Sequence, residues 1–168
     1  MQVRIRQATP ADIPAIQRIY AYGDAYHRAQ APWFFTERGG PARSSDYLLD
    51  SLGSDSALVL VAQGPDTEPV GLLHLFVRTS PEAPFLTPRR YAVVDALIVL
   101  PEAKRAGIGA ALMGEAENWA QERGIGQLEL SVWDFNVAAQ RLYERLGYVT
   151  VRRNMSKRLA HANGESSE

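Results

Sequence analysis

An apolar segment that runs straight into a glycine-containing turn constrains this chain more than any other part of its sequence. The segment, residues 91–100 (YAVVDALIVL), is interrupted by Asp95 and predicts a strand at a central position in a sheet. The turn at 104–110 then leads into an amphipathic helix. One face of that helix is apolar and carries Ile108, Leu112, Ala116, Trp119 and Ala120. A strand joined in this way to a helix predicts an α/β fold.

Shorter hydrophobic patterns complete the predicted fold. Besides 91–100, they predict strands near residues 3–5, 57–62, 70–77, 127–133 and 148–159 and helices over 13–26, 46–52, 108–124 and 136–146. The strands at 57–62 and 70–77 form an expected antiparallel hairpin. Capping residues favour the first and last helices: Thr9 to Asp12 before the first, and Asn136 and Gly147 around the last. The resulting order, β-α-α-β-β-β-α-β-α-β, is that of an α/β fold with a mixed sheet.

Composition sets the size and class of the protein. A chain of 168 residues is long enough for one domain, which we place at 1–160, and the polar tail at 161–168 is expected to be disordered. The formal net charge of −1 argues against a dedicated nucleic-acid-binding protein, because such proteins usually carry a basic excess. The N-terminal sequence lacks an apolar signal core, and no segment approaches the roughly twenty apolar residues of a membrane-spanning helix. We therefore expect a soluble, cytoplasmic protein without a nucleic-acid or membrane partner.

The absence of cysteine narrows the chemistry further. It excludes disulfides, thiolate zinc sites, iron–sulfur clusters and a thiol nucleophile. The three histidines, His27, His74 and His161, are too scattered in the sequence for a metal cluster. We therefore expect no metal site.

The turn at 104–110 (KRAGIGA) is a candidate phosphate site. Gly107 and Gly109 allow a ligand to approach the backbone closely, and unpaired amides at the start of a helix favour a phosphate group. A tight strand-to-helix turn with two glycines explains the same residues equally well. Leu112 stands where the dinucleotide-binding fingerprint has its third glycine, and the P-loop motif is absent. These departures favour a phosphate-bearing cofactor other than a nicotinamide or a P-loop nucleotide.

Three segments, in register and in the right order, resemble the GCN5-related N-acetyltransferases (GNAT). Residues 97–109 are similar to motif A of that family, V-x-P-x-x-[RQ]-x-x-G-x-[GA] after a hydrophobic strand. The segments at 132–136 and 142–148 are similar to its N-x-x-A-x-x-x-Y-x-x-x-G-[FY] motif, and 155–159 to its last strand. Lys104 departs from the usual arginine or glutamine. The resemblance covers residues 2–159 and implies a mixed, mostly antiparallel sheet flanked by helices.

The resemblance also implies acetyl-CoA as co-substrate and assigns residues to it. Backbone groups of Leu97, Ile98 and Val99 would pair with the pantetheine arm, and an amide there would polarise the acetyl carbonyl. Asn136 would reach the cofactor from the other side of an opening between strands 91–100 and 127–133, although it is also a plain helix N-cap. The pyrophosphate would lie against Lys104, Arg105, Ala106, Gly107, Ile108, Gly109 and Ala110.

Tyr143 is the general acid that the resemblance implies, protonating the departing CoA thiolate. Its ordinary pKa of about 10 keeps a tyrosine protonated at neutral pH. Two helical turns separate it from Asn136, so both side chains can face one cleft. The alternative is a core tyrosine packed beside Leu142 and Leu146.

Asp95 is the candidate general base, because an acid inside an apolar strand is costly unless it is satisfied or functional. Several family members carry a glutamate at that place, acting directly or through water. A wet sheet face or a capped loop would explain Asp95 without catalysis. His74, on the neighbouring predicted strand, is the rival base, although a lone histidine on a strand is more often structural.

The aromatic residues Trp33, Phe34 and Phe35 lie in an irregular segment and are candidates to line the acceptor pocket. A hydrophobic plug over the sheet is the alternative. The resemblance implies direct transfer, in a ternary complex, to a primary amine on a small molecule or peptide. A non-catalytic acyl-CoA sensor or scaffold and a longer-chain acyltransferase are the alternative functions. Homodimers are common in the family, so the resemblance also allows one.

Overall fold

The computed structural model describes residues 3–37, 43–64 and 67–157. Its regular elements, in chain order, are β1 Arg4–Gln7, α1 Ile13–Gln30, α2 Ser45–Leu52, β2 Ala57–Gln63, β3 Pro69–Thr79, β4 Arg90–Val99, α3 Ile108–Glu122, β5 Leu128–Leu130 and α4 Val137–Arg145. Short 3₁₀ turns at Pro10–Asp12 and Pro101–Ala103 precede α1 and α3. The predicted α/β class and the predicted hairpin, β2 with β3, are confirmed.

The strands form one sheet in the order β1-β2-β3-β4-β5. All neighbouring pairs are antiparallel except β4 and β5, which run parallel. The sheet is therefore mixed and mostly antiparallel, as the family resemblance implies. The apolar strand β4 lies inside the sheet between β3 and β5, which agrees with its predicted central position.

Helices cover both faces of the sheet, and a separate apolar core lies under each. On one face α1 and α2 pack with residues such as Ile16, Ile19, Leu48 and Leu72. On the other face α3 packs on the sheet through Leu112 and the buried residues around it. Strand β2 is buried on both faces along most of its length, which explains why its sequence is continuously apolar.

The start of α1 is fixed by an ion pair as well as by its cap. Two guanidinium nitrogens of Arg6 on β1 donate hydrogen bonds to the Asp12 carboxylate, at 2.7 and 2.8 Å. The Thr9 amide donates to the same carboxylate at 2.8 Å. The Arg6 hydrogen bonds lower the pKa of Asp12 to about 2. The sequence predicts the end of α1 near residue 26, but the helix continues to Gln30, and the Ala31 amide donates to the His27 carbonyl. Tyr26 and His27 pack against Phe135.

Two predictions near the C-terminus differ from the structure. Strand β5 spans Leu128–Leu130 instead of 127–133, because it diverges from β4 beyond Leu130. The predicted strand at 148–159 is wrong as far as Lys157: residues 148–157 form no strand and pair with none of the strands in the described residues, and Val149 and Val151 are exposed. An alternating apolar pattern makes a strand only where a partner supplies hydrogen bonds. The rest of that prediction, residues 158–159, and the predicted tail at 161–168 lie outside the described residues.

Candidate functional site

The site is an opening in the sheet where β4 and β5 separate. Their last paired residues are Val94 and Leu130. Residues 96–99 of β4 pair with β3 on one side only, so their β5-facing backbone groups pair with no strand in the described ranges. Unpaired strand groups bind an extended ligand readily. Leu97, Ile98 and Val99 all lie on this free edge.

A β-bulge puts Asp95 at the point where the two strands part. His74 is opposite Ala96 and Leu75 is opposite Val94, so Asp95 is the extra residue. Beyond the bulge, Ala96 and Ile98 pack in the core under α1, whereas Ala92 and Val94 pack under α3. Before the bulge the even-numbered residues of β4 therefore face α3, and beyond it they face α1.

Asp95 belongs to a polar cluster on the α1 face. The polar cluster consists of Tyr20, Arg43, Tyr47, His74 and Asp95. An Nη of Arg43 lies 3.9 Å from Asp95 Oδ2, and the guanidinium carbon lies 4.7 Å from the centre of the Tyr20 ring. The Asp95 side chain is 41% exposed, so an incoming amine can reach it. The expected cost of an acid in an apolar strand is thus relieved by water and by Arg43.

His74 is a fully buried member of this cluster. Its Nδ1 lies 2.8 Å from the Tyr20 hydroxyl, and Nε2 has no hydrogen-bond partner among the described residues. Burial lowers the pKa of His74 to about 4, against the opposing effect of the Asp95 charge. The imidazole is therefore neutral at pH 7, and its burial favours a structural role over that of the base.

The turn before α3 leaves its backbone accessible at the far end of the opening. Arg105 and Gly107 have left-handed backbone angles, φ 64° and 76°, and α3 starts without a side-chain cap. Residues 104–107 are exposed, and the Lys104 ammonium group lies 2.8 Å from the Tyr22 hydroxyl on α1. The first amides of α3 can therefore donate hydrogen bonds to an anionic ligand.

Helix α4 forms the wall on the other side. A Cβ placed on Gly109 would lie 3.1 Å from Leu142 Cδ2, so the start of α3 packs tightly against α4. The predicted cap is confirmed: Asn136 Oδ1 accepts a hydrogen bond from the Ala139 amide at 3.3 Å. Gly147 has the predicted left-handed angle, φ 87°.

Tyr143 lies next to Leu142 on the same helix. It is half-buried against the core under α3, and its ring centre is 5.9 Å from that of Tyr148. Burial raises the pKa of Tyr143 to about 12, so its hydroxyl keeps its proton at neutral pH. The structure therefore combines the packing role with the protonation state that a general acid requires.

Aromatic residues from both sides of the opening meet above it. This aromatic bridge consists of Tyr26, His27, Phe34, Phe35, Trp133 and Phe135. Phe34 and Phe35 contact Trp133 at ring-centre distances of 4.9 and 5.2 Å. Trp33, beside them, is exposed. Phe34 and Phe35 thus pack against the segment after β5. The alternative expected from the sequence, a hydrophobic plug, would instead pack on the sheet.

Sequence reasoning missed four members of the bridge: Tyr26, His27, Trp133 and Phe135. The signal available for two of them was the aromatic pair around Asp134, inside a segment already singled out by the family resemblance. Tyr26 and His27 lie at the end of the predicted helix and carry no such signal.

Within the described residues, no helix is both long and apolar enough to cross a membrane. In the same residues, no group of three or more histidine, cysteine, aspartate or glutamate side chains is arranged to hold a metal ion.

Known sequences give an independent comparison. Residues 22–148 match the family described as "Acetyltransferase (GNAT) family". The chain is 33% identical over 95 residues to an aminoglycoside N(6')-acetyltransferase type 1 of Klebsiella aerogenes, a match covering 56% of this chain and 61% of that protein. It is 27% identical over 147 residues to the uncharacterized N-acetyltransferase YhfO of Bacillus subtilis, covering 87% of this chain and 89% of the relative.

Solved structures agree on the fold. A tetramutant of the BH1408 protein from Bacillus halodurans has a TM-score of 0.86 at 21% identity, covering 93% of this chain and 99% of that one. AAC(6')-Iy in complex with the bisubstrate analogue CoA-S-monomethyl-acetylneamine has a TM-score of 0.69 at 17% identity, covering 95% and 99%.

Proposed function

The chain belongs to the GNAT family of acetyltransferases, and on that premise we propose that it moves an acetyl group from acetyl-CoA to a primary amine. The amine attacks directly, within a ternary complex and without a covalent enzyme intermediate. One observation carries the proposal: the opening between β4 and β5 joins the uncapped start of α3 at one end to Asp95 at the other. A pyrophosphate site and a proton acceptor are thus placed along one free strand edge.

The residues at the start of α3 fit a CoA pyrophosphate. Gly107 in the left-handed conformation and the uncapped amides that follow it would hold the phosphates. Lys104 and Arg105 add positive charge, although lysine lacks the planar fork of the family's usual arginine. The residues proposed for this cradle are Lys104, Arg105, Ala106, Gly107, Ile108, Gly109 and Ala110.

The free edge of β4 fits an extended pantetheine arm. Backbone groups of Leu97, Ile98 and Val99 would pair with its amides, as a strand would. A backbone amide at this edge would also polarise the acetyl carbonyl. Asn136, held by its capping hydrogen bond, would approach from the α4 side. When bound, acetyl-CoA supplies the activated acetyl group.

Asp95 would take the proton that the attacking amine loses. Three observations support this role: its place at the bulge, its partial exposure, and the burial of His74, which leaves Asp95 as the accessible candidate of the two. The exposed carboxylate of Asp95 can accept this proton directly or through water.

Tyr143 would donate a proton to the CoA sulfur as the carbon–sulfur bond breaks. Its raised pKa keeps the phenol protonated until that moment. The thiolate, once protonated, leaves as free CoA. The amine proton held by Asp95 passes to solvent, and solvent returns a proton to the Tyr143 phenolate, so both groups regain their starting states.

The relatives support a small-molecule amine as the acceptor, since one is named an aminoglycoside N(6')-acetyltransferase and one neighbouring structure holds a CoA bisubstrate analogue. Trp33, Phe34 and Phe35 are the residues proposed near the acceptor, whereas the fully buried His74 keeps a structural role. The single domain at 1–160, the cytoplasmic location and a homodimer stay predictions from the sequence.

The test is an acceptor screen that follows thiol release from acetyl-CoA and identifies the acetylated amine by mass spectrometry. Release with at least one primary amine, lost in Tyr143→Phe, supports the proposal. Calorimetric CoA binding without release for any amine would overturn it in favour of a sensor or scaffold. Faster release from butyryl-CoA than from acetyl-CoA would instead identify a longer-chain acyltransferase.

A further inference from the structure

We infer that the acceptor is an amine that carries a flat apolar body, such as an aromatic ring. The inference rests on the proposed function and narrows its acceptor class. Two features carry it: the aromatic bridge over the opening and the position of Asp95 on the same face of the sheet.

The aromatic bridge exposes apolar ring surface to solvent, whereas aromatic side chains in a hydrophobic core are buried. Neighbouring ring centres in it lie between 4.9 Å, for Phe34 and Trp133, and 6.1 Å, for Tyr26 and Phe135. Yet Phe34 is 66% exposed and Trp133 is 37% exposed. Exposed aromatic surface beside a cleft marks a binding surface, because leaving it in water is unfavourable.

The bridge lies on the same face of the sheet as the proposed base. Trp133 follows the last paired residue of β5, Leu130, by three positions, and Asp95 directly follows Val94 on β4. Helix α1 packs closely on β4 at Gly23. A Cβ added to Gly23 would lie only 2.8 Å from Ile98 Cδ1. One turn later, Tyr26 and His27 reach the bridge. The bridge therefore covers the opening on the α1 face, the face that Asp95 also occupies.

The bridge and Asp95 suit the two parts of such an acceptor. The rings can stack with a flat apolar body. The Asp95 carboxylate, which is exposed on the same face, can take the proton that the amine loses. An aminoglycoside is covered with hydroxyl and ammonium groups and gains less from contact with the rings, so the bridge favours an amine with an aromatic body.

A matched set of acceptors tests this inference: 2-phenylethylamine, propylamine and kanamycin, each at saturating acetyl-CoA. We expect kcat/KM for 2-phenylethylamine to exceed that for either other amine by about tenfold or more, the effect of one well-packed ring. Equal values for 2-phenylethylamine and propylamine, or a preference for kanamycin, would overturn the inference and leave the acetyltransferase function standing. No turnover of any amine despite CoA binding would overturn the proposed function instead.

Two variants test whether the aromatic bridge causes the preference for 2-phenylethylamine. Phe34→Ala should raise KM for 2-phenylethylamine about tenfold and leave that for propylamine within about twofold. Phe85→Ala is the control, because Phe85 is 86% exposed in the loop before β4, away from the opening. Calorimetric titration of 2-phenylethylamine into the CoA-bound protein gives a readout independent of turnover. Equal binding by Phe34→Ala and Phe85→Ala would contradict the assignment.

Discussion

The Tyr20 hydroxyl and His74 Nδ1 lie 2.8 Å apart, and this hydrogen bond joins α1 to the middle of β3 inside the core. His74 is fully buried, and burial lowers its pKa to about 4 from an ordinary value near 6.5. The folded protein therefore holds this imidazole neutral, whereas the unfolded chain protonates it below pH 6.5. The stability that His74 contributes is complete above pH 6.5 and is lost as the pH falls through this window to 4.

We expect the free energy of unfolding to drop by about 3 kcal/mol between pH 6.5 and pH 4 because of this histidine. His74→Asn should reduce that drop, as measured by urea denaturation across the range, at some cost in stability at pH 7. His27→Gln is the control, since His27 is only half-buried. An identical pH dependence in the parent and in His74→Asn would remove His74 as its source.

Asp95→Asn should retain CoA binding and lose turnover, most strongly at low pH, where the acceptor amine is hardest to deprotonate. The pH–rate profile of kcat with a good acceptor measures this loss. Asp24→Asn is the matched control, because it removes the other carboxylate that acts on Tyr20 but lies on α1. If Asp95→Asn keeps the parental profile, bulk water or another group is the base.

Tyr143→Phe should lower kcat by about 10²–10⁴-fold, the usual contribution of a general acid, with acetyl-CoA affinity largely retained. The ring and its packing stay, so thermal unfolding should change little. Tyr148→Phe serves as the control: it loses the hydrogen bond to Glu117, at 3.2 Å, and should keep its activity. A stable and fully active Tyr143→Phe would leave Tyr143 with a packing role alone.

Gly109→Val should weaken CoA binding by about tenfold or more, because a side chain at the start of α3 occupies the approach to its amides. The same side chain presses on Leu142, since even a Cβ there would lie 3.1 Å from Cδ2. Gly114→Val controls for a larger residue in α3, where an added Cβ meets nothing within 4 Å. Calorimetry compares the two affinities, and circular dichroism checks the fold. Parental affinity in a folded Gly109→Val would show that the turn is only structural.

Local sequence determined the features that depend on neighbouring residues. The strand at 91–100, the turn into α3, the Asn136 cap and the left-handed Gly147 were all predictable, because apolar period, capping oxygens and glycine angles act within a few residues. The family motifs lie within the same local segments. The mixed, mostly antiparallel sheet followed from those motifs.

Tertiary structure alone decided what the site looks like, because its parts come from distant segments. The bulge at Asp95 depends on the register between β3 and β4, and the buried state of His74 depends on Tyr20 from α1. The aromatic bridge joins Phe34 to Trp133, almost a hundred positions later in the chain. The segment after Tyr148 shows the converse: its alternating pattern suggests a strand, but pairing needs a neighbour, and only the assembled sheet decides where one lies.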